Sequence, residues 1–300
     1  LFVTCQRLFN IMPELPEVEV SRLGIAPHVS GRRIQQFIIR NARLRWPVDL
    51  DLPERLSQAV ITHTARRGKY LILYCVCADK TQGALLIHLG MSGSLRIVEP
   101  SAAVQKHDHL DWVFDAHVLR YHDPRRFGSL HWHDLADGDV LTHPRLLSLG
   151  IEPFDDAFNG DYVYKHIRTR TQAIKVALLS GDIVVGVGNI YASEVLFRCS
   201  IHPETPAKSL TRKQCDALAA HIKIVLRAAI EKGGSTLKDF VNSDGTSGYF
   251  QMHYNVYDRA GEPCTTCGRE IQRIVQAQRA TYFCATCQKR TQPKSKKTTA

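Results

Sequence analysis

The sequence predicts an α+β protein of two domains, an antiparallel β domain followed by a helical one. Three observations predict it. Its 300 residues exceed the usual single-domain length, and 44% hydrophobic content is ample for two cores. From Arg33 to about His133, short apolar runs alternate with Gly, Asp and charged turns, the pattern of an antiparallel sandwich or barrel. After about Asp134 the apolar spacing changes to three and four, the period of a helix.

The chain begins with residues 1–12, which carry no cap, repeat or clear period and start on leucine. The expectation is that they are an extension from a mis-assigned UUG or CUG start, with Met12 the true start. Pro16 then suits the first turn of a helix, where its missing N–H costs nothing. Glu17 and Glu19 favour that helix's positive end. Val18, Leu23 and Ile25 supply its apolar contacts, and Gly24 and Pro27 are expected to end it.

Strands are expected at Ile34 to Ile39, Tyr70 to Val76, Ala84 to Leu89, Ser94 to Val98, Leu110 to Phe114, Val118 to Tyr121 and Ser129 to Trp132. Between them lie Arg66-Arg67-Gly68-Lys69, His88 to Gly93, Lys106-His107-Asp108-His109 and Asp123 to Gly128, read as connections. Helices are expected at Asp161 to Thr169, Ala173 to Ser180, Asn189 to Cys199 and Thr211 to Glu231. Thr211 is a good N-cap for the last, and Gly233-Gly234 a good stop. The polar Ser235 to Tyr249 stretch is too long for a simple turn. The Lys- and Thr-rich tail has the composition of disorder.

Formal net charge is +10 and the pI near 9.2, which points to a polyanionic partner, nucleic acid first and an anionic membrane surface second. No apolar run approaches the roughly 18 residues that cross a bilayer. Leu1 to Ile11 is too short for a secretory signal and lacks a small-residue cleavage site. A cytosolic or nucleoid-associated protein is expected.

Nine cysteines divide unevenly. Cys5, Cys75, Cys77, Cys199 and Cys215 are scattered, as buried thiols in a reducing compartment would be. Cys264, Cys267, Cys284 and Cys287 form two Cys-x2-Cys pairs sixteen residues apart, fitting a tetrahedral thiolate zinc site that holds a β-hairpin. Four protein ligands close the site, so the zinc is structural and no catalytic metal is expected.

Other motifs have two readings. Gly186-Val187-Gly188-Asn189 opens a helix where backbone N–H groups could face a phosphate, or it is only a turn. The run before it is short and no acidic ribose partner follows, so a dinucleotide fold is excluded. His88, His107 and His109 read as packed or phosphate-contacting histidines before metal ligands. Arg125-Arg126-Phe127 could pin a backbone while the ring enters a base stack, or end a strand on a buried Phe. Lys69 is a held group at a site rim or a solvated strand-end lysine. Met12-Pro13-Glu14 is the pattern of a start methionine whose removal exposes a secondary amine. Such an α-amino group titrates near about 8, leaving a useful nucleophilic fraction at neutral pH.

With these stretches, Arg67-Gly68-Lys69-Tyr70, His88 to Gly93, Val187 to Ala192, Ser243-Asp244-Gly245, Tyr249-Phe250, Val256-Tyr257 and Gln278 to Thr281 in place, the chain from Met12 to about Arg290 resembles the formamidopyrimidine-DNA glycosylases, bifunctional base-excision enzymes of the helix–two-turn–helix family. The resemblance implies an α+β fold of two domains. Residues 13–135 would form a catalytic β-sandwich with an N-terminal helix. Residues 136–250 would form a helix–two-turn–helix domain with a lesion-capping loop at 235–249, residues 251–290 a zinc-finger β-hairpin, and residues 291–300 a disordered basic tail. It implies a monomer acting on damaged double-stranded DNA.

In the roles it implies, Pro13 attacks C1′ and Glu14 handles the proton at the opening sugar ring. Lys69 serves β-elimination and phosphate contact, and Arg279 the second, δ elimination. Met91, Arg125 and Phe127 fill the space of the everted nucleotide, and His107, Arg125, Arg170 and Asn189 contact DNA. The sister endonuclease VIII, which prefers oxidised pyrimidines, typically has glycine where Leu15 stands, so oxidised purines are the expected substrates. An oxidised-pyrimidine glycosylase is the same-class alternative. A non-catalytic damage-binding protein is the alternative if the extension is retained. Val176 and Ser180-Gly181-Asp182 depart from the family pattern, the latter in a way expected to alter a local contact.

Overall fold

A computed structural model describes residues 13–233 and 254–290 of the chain. The extension at 1–12, the 235–249 loop, Cys5 and the tail lie outside the described residues. Two compact units are formed, one of residues 13–148 with 229–233 and one of residues 149–228 with 254–290.

The first unit is built on α1 (Leu15–Val29) and eight strands: β1 (Gln36–Ile39), β2 (Val60–Arg67), β3 (Tyr70–Val76), β4 (Gln82–His88), β5 (Ser94–Val98), β6 (Asp108–Val113), β7 (Val118–His122) and β8 (Ser129–Asp134). They pair antiparallel into two four-stranded sheets, ordered β1-β6-β7-β5 and β2-β3-β4-β8. Between the sheets lies a core of Phe37, Leu71, Leu73, Leu85, Ile87, Leu95, Trp112, Leu119 and Leu130, joined by Val18, Ile25 and Val29 of α1. Cys75 and Cys77 share this core, as the two-residue spacing along a strand requires. Burial pushes both thiols up. The first unit also takes in residues 136–148, with Val140 and Leu146 buried.

Five expectations are corrected. Helix α1 does not stop at Gly24 or Pro27 but runs to Val29, with Ser30 N–H donating to the Ala26 carbonyl. A proline in the last turn forfeits one bond, and packing of Ile25 and Val29 outweighs that loss. Leu23 is 49% exposed and supplies no core contact. Strand β2 was not expected, so Arg66 and Arg67 lie in a strand and only Gly68-Lys69 turns; likewise Asp108 and His109 lie in β6, not in a connection. A short helix, α2 (Leu52–Leu56), was also not expected.

The second unit carries α3 (Gly160–Ile167), α4 (Ile174–Leu179), α5 (Asn189–Arg198), most of α6 (Arg212–Glu231), and the hairpin β9 (Gln272–Gln276) and β10 (Arg279–Phe283). Two turns join α5 to α6. In the first, Ser200 takes φ +53° while Ile201 N–H donates to Leu196 O and Ser200 N–H to Phe197 O, a Schellman ending. In the second, Thr205 N–H donates to His202 O. Thr211 then caps α6 as expected: its hydroxyl accepts from Gln214 N–H at 3.2 Å and its own N–H donates to Gln214 Oε1 at 3.0 Å. Burial pushes the Cys199 thiol up to about 12 and Cys215 up to about 11, and no disulfide occurs among the described residues. No helix of the described residues is long and apolar enough to cross a membrane.

Candidate functional site

In the first unit, Pro13 and Glu14 enter α1 and both are buried. Glu14 is the N-cap and shares a capping box with Glu17, whose Oε2 accepts the Glu14 N–H at 2.9 Å. This reciprocal pair fixes the backbone at which the Pro13 nitrogen is presented. Farther along the helix, Glu19 accepts from Arg22 and from Arg66 Nε of β2 at 3.0 Å. Burial raises the Glu19 carboxyl, but the two guanidinium groups outweigh it and hold it below the usual range. Arg66 also donates to the Gly68 carbonyl, so α1 is tied to the β2–β3 turn that carries Lys69. Gly68 takes φ +58° there, which lets that turn close in two residues. Lys69 is half-buried, and its charge reaches His88 at the end of β4.

Two loops beside this turn, 89–93 and 123–128, are fastened by the fully buried Asp123. Its Oδ1 accepts from the Ser92 hydroxyl, and its Oδ2 accepts from Tyr121 O–H at 3.1 Å and Gly128 N–H at 2.9 Å. Ser92 Oγ in turn accepts the Arg125 N–H at 3.1 Å. Burial and then the Asp123 charge push the Tyr121 phenol far up, so it stays a donor. Gly90, at φ +66°, lies so near Phe127 that an added Cβ would sit 2.3 Å from its carbonyl carbon. On this mount Met91 is half-buried, Arg125 exposed, and Phe127 42% exposed with the Arg125 guanidinium 4.8 Å from its ring. The buried-Phe reading is therefore excluded.

The histidines pack. A register shift in β6 turns buried His109 so that Nε2 donates to the Asp123 carbonyl at 2.8 Å. His88 is held down to about 4 by burial and then by Lys69 and Arg45, and its Nδ1 accepts the Gly90 N–H at 3.0 Å. His107 is half-buried at the root of the same loop, its carbonyl accepting from Asp123 N–H.

In the second unit, the four cysteine Sγ atoms lie within 4.8 Å of one another and are the one metal-capable His/Cys/Asp/Glu group among the described residues. The Cys264–Cys287 and Cys267–Cys284 sulfurs are 3.8 and 3.5 Å apart. Zn–S bonds of about 2.3 Å give tetrahedral edges of about 3.8 Å, so the sulfurs fit zinc and are far too separated for disulfides. Burial raises the Cys264 thiol, but N–H groups of Cys267 and Thr266 bring it down to about 7, whereas burial and the neighbouring sulfurs raise Cys284 and Cys287, so four clustered thiolates need a cation among them. The site holds one structural Zn2+.

The hairpin above this cluster turns at Ala277 and Gln278, φ +45° and +61°, and delivers exposed Arg279 at its tip. Its β10 strand is tied to the helices just past the turn. Asn189, first residue of α5, donates from Nδ2 to the Ala280 carbonyl at 3.0 Å, while its Oδ1 is buried with no partner among the described residues. Arg170 is turned onto Asp182 in a bidentate pair at 2.9 and 3.2 Å.

Two buried charged residues were not anticipated. Lys175 is fully buried and donates to Thr281 Oγ1 at 2.8 Å and to the Ala280 carbonyl. Glu194 is buried in α5 and accepts from the N–H groups of Asn255, Val256 and Tyr257 and from Asn255 Nδ2, all at 2.9 Å. Lys175 is the single charge of the otherwise apolar α4, whereas Glu194 shares α5 with Arg198, and neither position reveals its partners in the sequence.

A β-sandwich with a buried Pro-Glu pair at the entry to its first helix and an exposed Arg-Phe turn, with a helix–two-turn–helix unit and a four-sulfur hairpin, fits a DNA-processing class of protein. Comparisons with known proteins agree. The formamidopyrimidine-DNA glycosylase N-terminal domain matches residues 12–130, the H2TH domain of the same enzymes residues 149–241, and the zinc finger found in FPG and IleRS residues 261–290. The chain is 54% identical to the formamidopyrimidine-DNA glycosylase of Paraburkholderia phytofirmans over 282 residues, 93% of this chain and 100% of that one. It is 53% identical to that of Burkholderia multivorans, with the same coverage. A Lactococcus lactis Fpg solved in complex with DNA containing an abasic site superposes with a TM-score of 0.83 at 34% identity, covering 92% of this chain and 100% of that one. The chain belongs to the formamidopyrimidine-DNA glycosylase family.

Proposed function

We propose that Pro13 and Glu14 carry the chemistry of this base-excision repair enzyme. The chain is a DNA glycosylase with AP lyase activity, acting on damaged double-stranded DNA, with oxidised purines as its substrates. The observation that supports the residue assignment is the buried Glu14–Glu17 capping box, which fixes Pro13 at the mouth of α1 beside a carboxyl group.

The Pro13 nitrogen acts as a secondary amine, in a chain that begins at Pro13. It forms a bond to C1′ as the bond from C1′ to the base breaks, and the base leaves with a proton. Glu14 protonates O4′ as the sugar ring opens, leaving a cationic iminium between Pro13 and C1′. That cation takes up the electron pair when a C2′ proton is removed and the C3′–O bond breaks. Loss of a C4′ proton with cleavage of the C5′–O bond completes the second elimination. Lys69 serves the first elimination and a phosphate contact, and Arg279 the second.

Met91, Arg125 and Phe127 fill the stack left by the everted nucleotide, offsetting part of an unstacking cost of a few kcal/mol. His107, Arg170 and Asn189 contact the DNA backbone. Residues 13–135 supply the chemistry together with Arg279, and 136–250 with the hairpin of 251–290 grip the duplex at the nucleoid.

Borohydride trapping on an 8-oxoguanine duplex, paired with intact mass, tests this. A trapped adduct on a protein whose first residue is Pro13 is expected. A protein starting at Pro13 that excises base without a trappable adduct sinks the assignment.

A further inference from the structure

Two guanidinium groups of the first unit rest on one indole ring. Arg145 lies 3.7 Å and Arg45 4.6 Å from the Trp46 ring centroid. Among the described residues neither guanidinium has a hydrogen bond or ion pair, whereas Arg22, Arg40, Arg66 and Arg120 of the same unit all pair with Glu19, Asp108 or Asp111. An arginine stacked on an aromatic face keeps its in-plane N–H groups directed outward and loses little further freedom when it binds. With no carboxylate to satisfy them, those donors and charges are available to an anion.

The wedge uses the same arrangement, with Arg125 over Phe127 and no acidic partner. The patch is continuous with the wedge, because Arg45 N–H donates to the Gly128 carbonyl at 3.0 Å. His131 extends it, 5.7 Å from Trp46 and 5.7 Å from His143. Exposed Asp49 faces His131 but bonds neither arginine.

We propose that Arg45, Trp46 and Arg145 form a phosphate clamp that grips the DNA backbone beside the wedge, a contact separate from those assigned to His107, Arg125, Arg170 and Asn189. The proposal rests on the DNA-lesion reading above. Trp46 acts as the platform, and the two arginines each neutralise one phosphate.

The test is the salt dependence of binding to an 8-oxoguanine duplex. Each phosphate contact contributes about 0.9 to the slope of log K against log salt. Arg45→Gln/Arg145→Gln should make the slope less negative by roughly 1.8, and Arg45→Lys/Arg145→Lys, which keeps both charges, should stay near the parent value. Arg32→Gln, an exposed arginine at the far end of α1, should leave the slope unchanged. Should the double variant not fold, the exposed Arg45→Gln alone carries the test, with an expected change of about 0.9. An Arg45→Gln slope equal to that of the parent overturns the clamp. The parent protein's borohydride adduct, measured on the same duplex, separates the two readings. A normal adduct with an unchanged slope removes only the clamp, while a parent with neither adduct nor lesion preference removes the glycosylase mechanism itself.

Discussion

Each unit presents an exposed cation on a tight turn over a buried polar anchor, but the anchors differ in kind. In the sandwich, Arg125 stands beside Arg126 at φ +55°, and the loop is fastened by the neutral donors around one carboxylate, Asp123. In the helical unit, Arg279 follows two residues at positive φ, the hairpin is fastened by four sulfurs and by the buried Lys175, and the 255–257 segment that precedes it is held by the buried Glu194. Non-glycine residues at positive φ cost energy, so both turns depend on their anchors. The first anchor forms wherever the chain folds. The second needs a metal, and it should fail separately when the metal is taken away.

Chemistry should break before either anchor does. In a chain that begins at residue 13, Pro13→Gly keeps a terminal amine but loses the ring that sets its direction, so the trapped adduct on 8-oxoguanine duplex should fall by two orders of magnitude or more, roughly 3 kcal/mol of barrier. Lesion binding, carried by the wedge and the hairpin, should stay within a few-fold. Equal losses of binding and chemistry would contradict the role given to Pro13.

Removing the metal, or Cys284→Ser, should separate the units. Structural zinc contributes about 10–16 kcal/mol of apparent folding free energy in small zinc domains, so the hairpin cannot persist without it. DNA affinity should drop at least about 100-fold, while hydrogen exchange in β3 and β4 stays slow. Chelation that also speeds exchange in the sandwich would show that the two anchors are not independent.

Acid should act the other way, on the sandwich. His88 titrates near 4 in the folded protein and near 6.5 when unfolded, because burial, Lys69 and Arg45 oppose its charge. The unfolded chain therefore binds more protons between these values, and stability is lost as pH falls from about 6.5 toward 4. The expected slope from His88 alone is up to about 1.4 kcal/mol per pH unit. His131 is lowered in the same direction by burial and Arg145. Urea unfolding of the sandwich at pH 7, 5.5 and 4.5 should show the loss, and His88→Gln should flatten it.

The difference between the units also explains what the sequence disclosed. Strands β3 and β5 were legible to the residue, because apolar and β-branched runs bounded by turns have one favourable reading. Strand β2 was not. It lies at a sheet edge, and of its residues only Ile61 is fully buried, so its apolar signal is weak and its last two residues, Arg66 and Arg67, read as part of a connection. The positions proposed for the chemistry stand out in the sequence because their residue types are constrained locally: a Met-Pro-Glu stretch, paired cysteines, an Arg-Arg-Phe turn. Their anchors were not. Asp123, Lys175 and Glu194 are polar residues whose importance lies in the donors and acceptors that tertiary folding brings to them from up to 106 positions away.

The smallest effect probes Arg170, the one assigned DNA contact whose charge is already engaged. Burial raises the Asp182 carboxyl, but Arg170 and Ser180 outweigh it and hold it below the usual range, so the pair is formed at neutral pH. Phosphate must therefore compete with Asp182 for this guanidinium, unlike Arg125, which has no acidic partner. Asp182→Asn removes the competitor and keeps the shape. Because the pair is partly exposed, stability should change by less than about 1 kcal/mol. DNA affinity at low salt should rise roughly two- to five-fold, and the salt slope should steepen by up to about 0.9. A variant with the parent's slope would show that Arg170 serves the helical unit as a brace between α3 and the 180–182 turn, leaving the phosphate to its neighbours.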